Sequence, residues 1–355
     1  MTAAVYRDWS CLPGDLILIM MRALAIPDML RAGAICVSWR AACIGVRRVR
    51  FPITDSSPCL LFSCAADDAD TATVYSVSTG AAWTSRLPPC SLQERLPHGP
   101  LALRISTYLA YLSCNPAAGS ACAVLLVHQC SGLLYFAHVG DDQWTDITRS
   151  ASLPVDNFFH GAVYNKNDGL FYVLHESGCV YALDLNGPSP PVVRAILSGR
   201  GVATRLLPEF SWGDIILAPW GDILHVWRSK RRRPGACDPL DDPEAYTDSI
   251  LLFKVDVDDQ KLVNMNDGDL RDHALFLGFN ASMCLPTKDF PGLKPNCAYV
   301  TNESWRQDFL TKFGFQDVGI WNFETKILEG LGNVQSDHPW LNWPSPIWIT
   351  PSLSR

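Results

Sequence analysis

Five stretches of the chain share one pattern: an apolar run carrying an aromatic, then two to four turn-forming residues, then a returning apolar run. They are "VYSVSTGAAW" (74–83), "LLYFAHVGDDQWTDI" (133–147), "LFYVLHESGCVYAL" (170–183), "ILLFKVDVDDQKLV" (250–263) and "VGIWNFETKIL" (318–328). Each reads as a β-hairpin, because Gly, Asp, Asn, Ser and Thr supply the tight-turn conformations that join antiparallel strands. The hairpins recur at irregular intervals of roughly 45–70 residues over about 270 residues, and a solenoid would be more regular. No helical segment of about 12 residues alternates with them, which disfavours a doubly wound α/β fold. A β-propeller tolerates long insertions between small antiparallel sheets, so the expectation is a mainly β chain with a propeller of about six blades, counting hairpins and allowing for strands without a clear signal.

The N-terminal segment breaks this texture. Leu16, Ile17, Met20, Met21 and Leu24 follow helical spacing. Pro13 suits a helix start, and Asp15 places charge at the positive end of the helix dipole. Pro27 is expected to stop this helix, Asp28 to cap a second through Met29, Leu30 and Ile35, and Ser38 to cap a third carrying Trp39, Ala42, Cys43 and Val46. Three helices this short cannot bury all their apolar faces on one another, which leaves surface for a partner. The two parts also differ in charge: residues 1–50 hold seven Arg against three Asp, while the whole chain carries −7. That balance argues against a nucleic-acid binder.

With 48% hydrophobic and 18% charged residues the chain has ample material for a core. Its 13 cysteines show no CxxC pair or zinc-ligand spacing, and several sit in apolar runs, as Cys36 and Cys122 do, so they read as buried reduced thiols. The start "MTAAVYRDWS" has no apolar core of signal-peptide length, and "LILIMM" is far short of the ~20 residues that span a bilayer. The expectation is a soluble intracellular protein, cytoplasmic and/or nuclear, with no membrane or nucleic-acid partner. The sequons at Asn280 and Asn302 are then chance matches.

The segment 8–42, "DWSCLPGDLILIMMRALAIPDMLRAGAICVSWRAA", resembles an F-box, carried by Leu12-Pro13, Leu16-Ile17, Ile19-Met20, Leu24, Asp28-Met29-Leu30, Arg31, Ile35-Cys36 and Ser38-Trp39-Arg40. The remainder resembles the plant F-box proteins with a KIB-type β-propeller, the domain of unknown function 295 family. "PCLLF" (58–62), "VYSVSTG" (74–80), "ALFLGFNASMCLPTKDFPGLKPNCAYVTN" (274–302), "DVGIWNFETKIL" (317–328) and "WPSPIWITPSL" (343–353) carry that likeness. The segment "RSKRRRPGACDPLDDPEAY" (228–246) departs from it and reads as a variable insertion. The resemblance implies an F-box over 8–50 and a substrate-binding propeller over 56–353. It implies a non-catalytic receptor subunit of an SCF-type ubiquitin ligase, bound to a Skp-type adaptor and through it to cullin. Such a receptor works by holding a protein substrate near the ubiquitin-conjugating enzyme. Leu12, Pro13, Leu16, Ile17, Met20, Leu24, Leu30 and Ile35 are the expected adaptor contacts, with Leu16 and Ile17 dividing between surface and core. Trp39 is expected in the F-box core. The alternatives are a propeller enzyme with an F-box tag, and an F-box protein acting outside ubiquitination.

Other motifs carry less. His175-Glu176 falls in a hairpin turn and lacks the second His of HExxH. Asp67, Asp68 and Asp70, and Asp256, Asp258 and Asp259, lack the twelve-residue calcium-loop pattern. No GxSxG or P-loop occurs, so no catalytic, cofactor or metal residue is assigned. Lys230-Arg231-Arg232-Arg233 reads as a solvated loop, with nuclear import or anion binding as the functional alternatives. "KDFPGLKPN" (288–296) reads as a fixed connection between blades. Finally, Ile347–Thr350 is expected to form a strand in or beside the blade holding Cys59–Phe62, because an unclosed propeller leaves open sheet edges.

Overall fold

The computed structural model describes residues 12–24, 26–49, 58–63, 71–78, 80, 82–86, 108–114, 122–128, 132–150, 153–154, 158–186, 191–198, 211–232, 245–266, 268–278, 280, 282–290, 292–301, 318–331 and 347–349. The chain starts with three helices, α1 (Gly14–Ala23), α2 (Ile26–Gly33) and α3 (Val37–Val49). The Pro13 carbonyl accepts the first bonds of α1, from the amides of Leu16 and Ile17. Pro27 lies in the first turn of α2 and does not stop α1, which ends where Leu24 turns extended. Proline is tolerated there because first-turn amides have no intrahelical acceptor. Asp28 and Ser38 likewise sit inside first turns rather than capping them. Ile17, Met21, Met29, Ala32, Trp39, Ala42, Cys43 and Val46 form one core, built wholly from these helices.

The strands form five antiparallel-rich sheets among the described residues. The first contains β1 (Cys59–Ser63), β2 (Thr71–Ser76) and β3 (Ala82–Arg86). The second contains β4 (Tyr108–Leu112), β5 (Ala123–His128), β6 (Leu133–His138) and β7 (Thr145–Asp146). The third contains β8 (Phe159–Asn165), β9 (Leu170–His175), β10 (Val180–Asp184) and β11 (Val192–Leu197). The fourth contains β12 (Ser211–Leu217), β13 (Ile223–Arg232), β14 (Ala245–Asp256) and β15 (Lys261–Asn264). The fifth contains β16 (His273–Leu277), β17 (Met283–Pro286), β18 (Cys297–Val300), β19 (Gly319–Asn322) and β20 (Ile327–Gly330). A last strand, β21 (Ile347–Ile349), joins the first sheet.

Each of the five sequence hairpins forms, one per sheet: β2–β3, β6–β7, β9–β10, β14–β15 and β19–β20. Among the described residues the propeller therefore has five blades, not six. The sixth came from strands supposed to lack a signal, whereas those strands are the partners that complete the same five sheets. Apolar clusters fill the spaces between sheets two and three, three and four, and four and five. A fourth cluster joins Leu60, Tyr75 and Trp348 of the first sheet to Ala274, Phe276 and Tyr299 of the fifth, which brings the ends of the β-region together.

Closure follows the expected route. β21 pairs antiparallel with β1, with Cys59 opposite Ile349, Leu60 opposite Trp348 and Leu61 opposite Ile347; Thr350 lies outside the described residues. The Asn280 amide clasps the strand from the fifth sheet, donating to the Trp348 carbonyl at 2.7 Å and accepting its amide at 3.1 Å. The Trp348 indole donates to the Leu277 carbonyl at 3.0 Å.

Two expectations are corrected. Lys230–Arg232 is the end of β13, laddered onto β14 as far as Arg232 opposite Ala245, and not a loop. Lys230 is buried, so strand pairing outweighs the local charge signal. The segment 288–296 connects β17 to β18 within one sheet, where β18 runs parallel to β16, and does not bridge two blades. It leans on the neighbouring blade: a Cβ on Gly292 would lie 2.9 Å from the Ser78 Cα.

Candidate interaction surfaces

The three-helix unit presents the first surface. Adjacent positions on a helix point about 100° apart, and Leu16 and Ile17 divide accordingly. Ile17 is fully buried in the helical core, while Leu16 is 49% exposed. The same split separates buried Met21 from exposed Met20. Leu12 and Leu24 are partly buried against the helical core, Pro13 is exposed, and Ile35 is 66% exposed. The Leu30 side chain lies outside the described residues. Trp39 is 6% exposed and packs in the core. Ile19, Val37 and Ile44 are further exposed apolar side chains that helical spacing around Leu16 did not single out. On α1, Leu16, Ile19 and Met20 occupy i, i+3 and i+4 positions, so they share one face.

The second surface lies where β4, β8, β12 and β17, from four successive sheets, meet. His160 on β8 stacks on Trp212 of β12, with centroids 4.0 Å apart and planes 8° from parallel. His160 Nδ1 lies 3.0 Å from both the amide and the carbonyl of Gly213, accepting from the first or donating to the second according to its tautomer. Burial pushes the imidazole down to about 4 against the opposing hydrogen bond at Gly213, with a smaller push from His175, so it is neutral. The Ser282 hydroxyl, just before β17, donates to Asp214 Oδ1 at 2.6 Å. Tyr111 of β4 is held protonated by burial; a backbone bond from Ala162 opposes this and the Asp214 carboxylate adds to it. A Cβ on Gly161 would sit 2.9 Å from the Tyr111 hydroxyl, and one on Gly213 would sit 3.1 Å from His160 Nδ1, so these strands need glycine for close approach.

This convergence ties blades together by neutral aromatics and one hydrogen-bonded carboxylate. Within this cluster Ser282 donates directly to Asp214 and His160 Nδ1 faces the Gly213 backbone, so these two side chains are not set against each other. His175 and Ser177 pair within the β9–β10 turn, His175 Nδ1 lying 2.7 Å from the Ser177 hydroxyl. Among the described residues no three His, Cys, Asp or Glu side chains are placed so that they could hold a metal ion. The residues 67–70 lie outside them, and Asp258 and Asp259 form the β14–β15 turn. No spacing signal foreshadowed the axial cluster, because its members lie as far apart in the chain as Tyr111 and Ser282. No described helix is long and apolar enough to cross a membrane.

The sheets and the clusters between them define a β-propeller, and the chain carries a helical unit with its own core. The chain belongs to the KIB1-4 beta-propeller family, whose model matches residues 46–322. The match begins inside α3 and ends with β19, so β20 and the closing β21 are additions made by the structure. No curated protein matches the sequence significantly.

Proposed function

We propose that the chain is the substrate-recognition subunit of an SCF-type cullin ubiquitin ligase. The three-helix unit is its F-box and docks on a Skp-type adaptor, and the propeller holds a protein substrate. One observation carries this reading: the helical unit seals its own core yet leaves Leu16, Ile19, Met20, Ile35 and Val37 exposed. A unit this small does not retain so much apolar surface for solvent. The receptor does no bond chemistry; it raises the concentration of substrate beside the conjugating enzyme. Such a partner sets the protein in the cytoplasm or nucleus.

Co-purification of the full chain with a Skp-type adaptor and cullin tests the reading. Leu16→Ala with Met20→Ala should weaken adaptor binding at least tenfold, about 1.4 kcal/mol, and leave the unit folded, because both side chains point outward. Trp39→Ala should instead unfold the unit, since truncating a buried aromatic costs about 3–5 kcal/mol. Failure of the intact chain to retain adaptor and cullin would overturn the assignment.

A further inference from the structure

Cys114 and Cys122 face each other across the mouth of the β4–β5 hairpin. The register runs Leu112 opposite Val124, and the Ser113 amide donates to the Ala123 carbonyl at 3.0 Å. Continued one step past its last printed pairs, the same register sets Cys114 opposite Cys122, at the point where the Ala123 amide is taken by the Ser113 hydroxyl at 2.8 Å. Residues opposed across an antiparallel pair have Cα atoms about 4.5–5.5 Å apart, inside the range a disulfide spans. The side chains agree with the register: Cys122 Sγ lies 3.1 Å from the Cys114 carbonyl oxygen. Both are reduced, Cys122 fully buried and Cys114 partly exposed.

We propose that Cys114 and Cys122 form a reversible redox pair, which a low-molecular-weight disulfide of the glutathione class converts to an intramolecular disulfide. The chemistry balances in two exchanges. The Cys114 thiolate attacks one sulfur of the reagent disulfide, forming a mixed disulfide and releasing one reagent thiolate. The Cys122 thiolate then attacks the Cys114 sulfur and expels the second. Two protein thiols are oxidised, one reagent disulfide is reduced to two thiols, and the two protons go to the released thiolates. Exposure sets the order. External reagent reaches Cys114, while Cys122, buried beside it, reacts only with the mixed disulfide that Cys114 carries. Burial and the neighbouring Cys122 thiol hold the Cys114 thiol above its ordinary value, opposed by the Ser113 hydroxyl and the Lys166 ammonium, so exchange accelerates as pH rises. The product fixes the end of β4, the strand that carries Tyr111 to the axis.

The test incubates the full chain with graded mixtures of oxidised and reduced glutathione, then labels remaining and newly reduced thiols with two distinguishable alkylating reagents. Cys114 and Cys122 should oxidise together, at a lower oxidised fraction than the other cysteines, with loss of two hydrogens and no retained glutathione. In Cys114→Ser, Cys122 should stay reduced in every mixture. In Cys122→Ser, Cys114 should keep a bound glutathione. If Cys114 and Cys122 remain alkylatable while other cysteines oxidise, or if Cys122 oxidises unchanged in Cys114→Ser, the pair does not exist. The Cys114→Ser variant changes a partly exposed residue, so a folding defect in Cys122→Ser still leaves a decisive arm.

Discussion

His160 is held between the Trp212 indole and the Gly213 backbone, and His225 is buried against Trp227. Burial pushes them down to about 4 and about 3, with smaller effects from Gly213 and neighbouring histidines. Their ordinary value is about 6.5, so the unfolded chain takes up protons first as pH falls. The stability tied to neutral imidazole is present in full above the unfolded value and is lost on the way down to the folded ones. For His160 this amounts to roughly 3 kcal/mol at most. Urea unfolding between about pH 7.5 and about pH 5.5 should show stability falling with acid, and His160→Asn should make that slope shallower. An unchanged slope would mean that His160 is not a neutral buried ring. Steric limits are as specific. Gly292 has φ 99°, and its Cβ would meet the Ser78 backbone at 2.9 Å. Gly292→Ala should therefore cost about 2 kcal/mol or more in chemical denaturation. Gly330→Ala, with open space around it, should cost under about 1 kcal/mol. None of this was legible in the sequence: His160 and Gly292 carry no local signal that tells which distant backbone they will meet.

The closing strand β21 has three residues, too few to persist by ladder bonds alone. It is held by β1, by both ends of the Asn280 amide, and by Trp348 packed edge-on to Phe276 at 5.1 Å. A chain ending at Asn342 should lose cooperative melting in calorimetry, because it exposes the β1 edge and discards the Trp348 packing. Asn280→Ala should weaken the fold by about 1–3 kcal/mol, since it leaves Trp348 backbone groups without partners. If the shortened chain melts like the intact one, the clasp does not close the ring. The sequence foretold the pairing because both strands are short, apolar and preceded by proline. It did not foretell Asn280, which reads there as a sequon. Hairpins were legible for the same local reason: strand alternation and turn chemistry lie within a dozen residues. The end of β13 was misread because its partner β14 comes after an intervening segment, and a run of Lys and Arg shows charge but not the ladder it joins.

At the scale of the whole molecule, the helical core shares no member with the clusters between the sheets among the described residues. Removal of residues 1–50 should leave a cooperatively folding β-protein, and on the proposed reading one that retains no Skp-type adaptor. Strong helical circular dichroism or aggregation of that product would refute the division. The sequence by itself determined the division into helices and hairpins, and the candidate surface on the helices. Those properties follow from periodicity and turn residues close together in the chain. Only the tertiary structure decided the number of blades, the meeting of Tyr111, His160, Trp212, Asp214 and Ser282, and which of Leu16 and Ile17 faces out. Each of these depends on contacts between segments far apart in sequence, whose geometry is set by packing and backbone pairing rather than by any local preference.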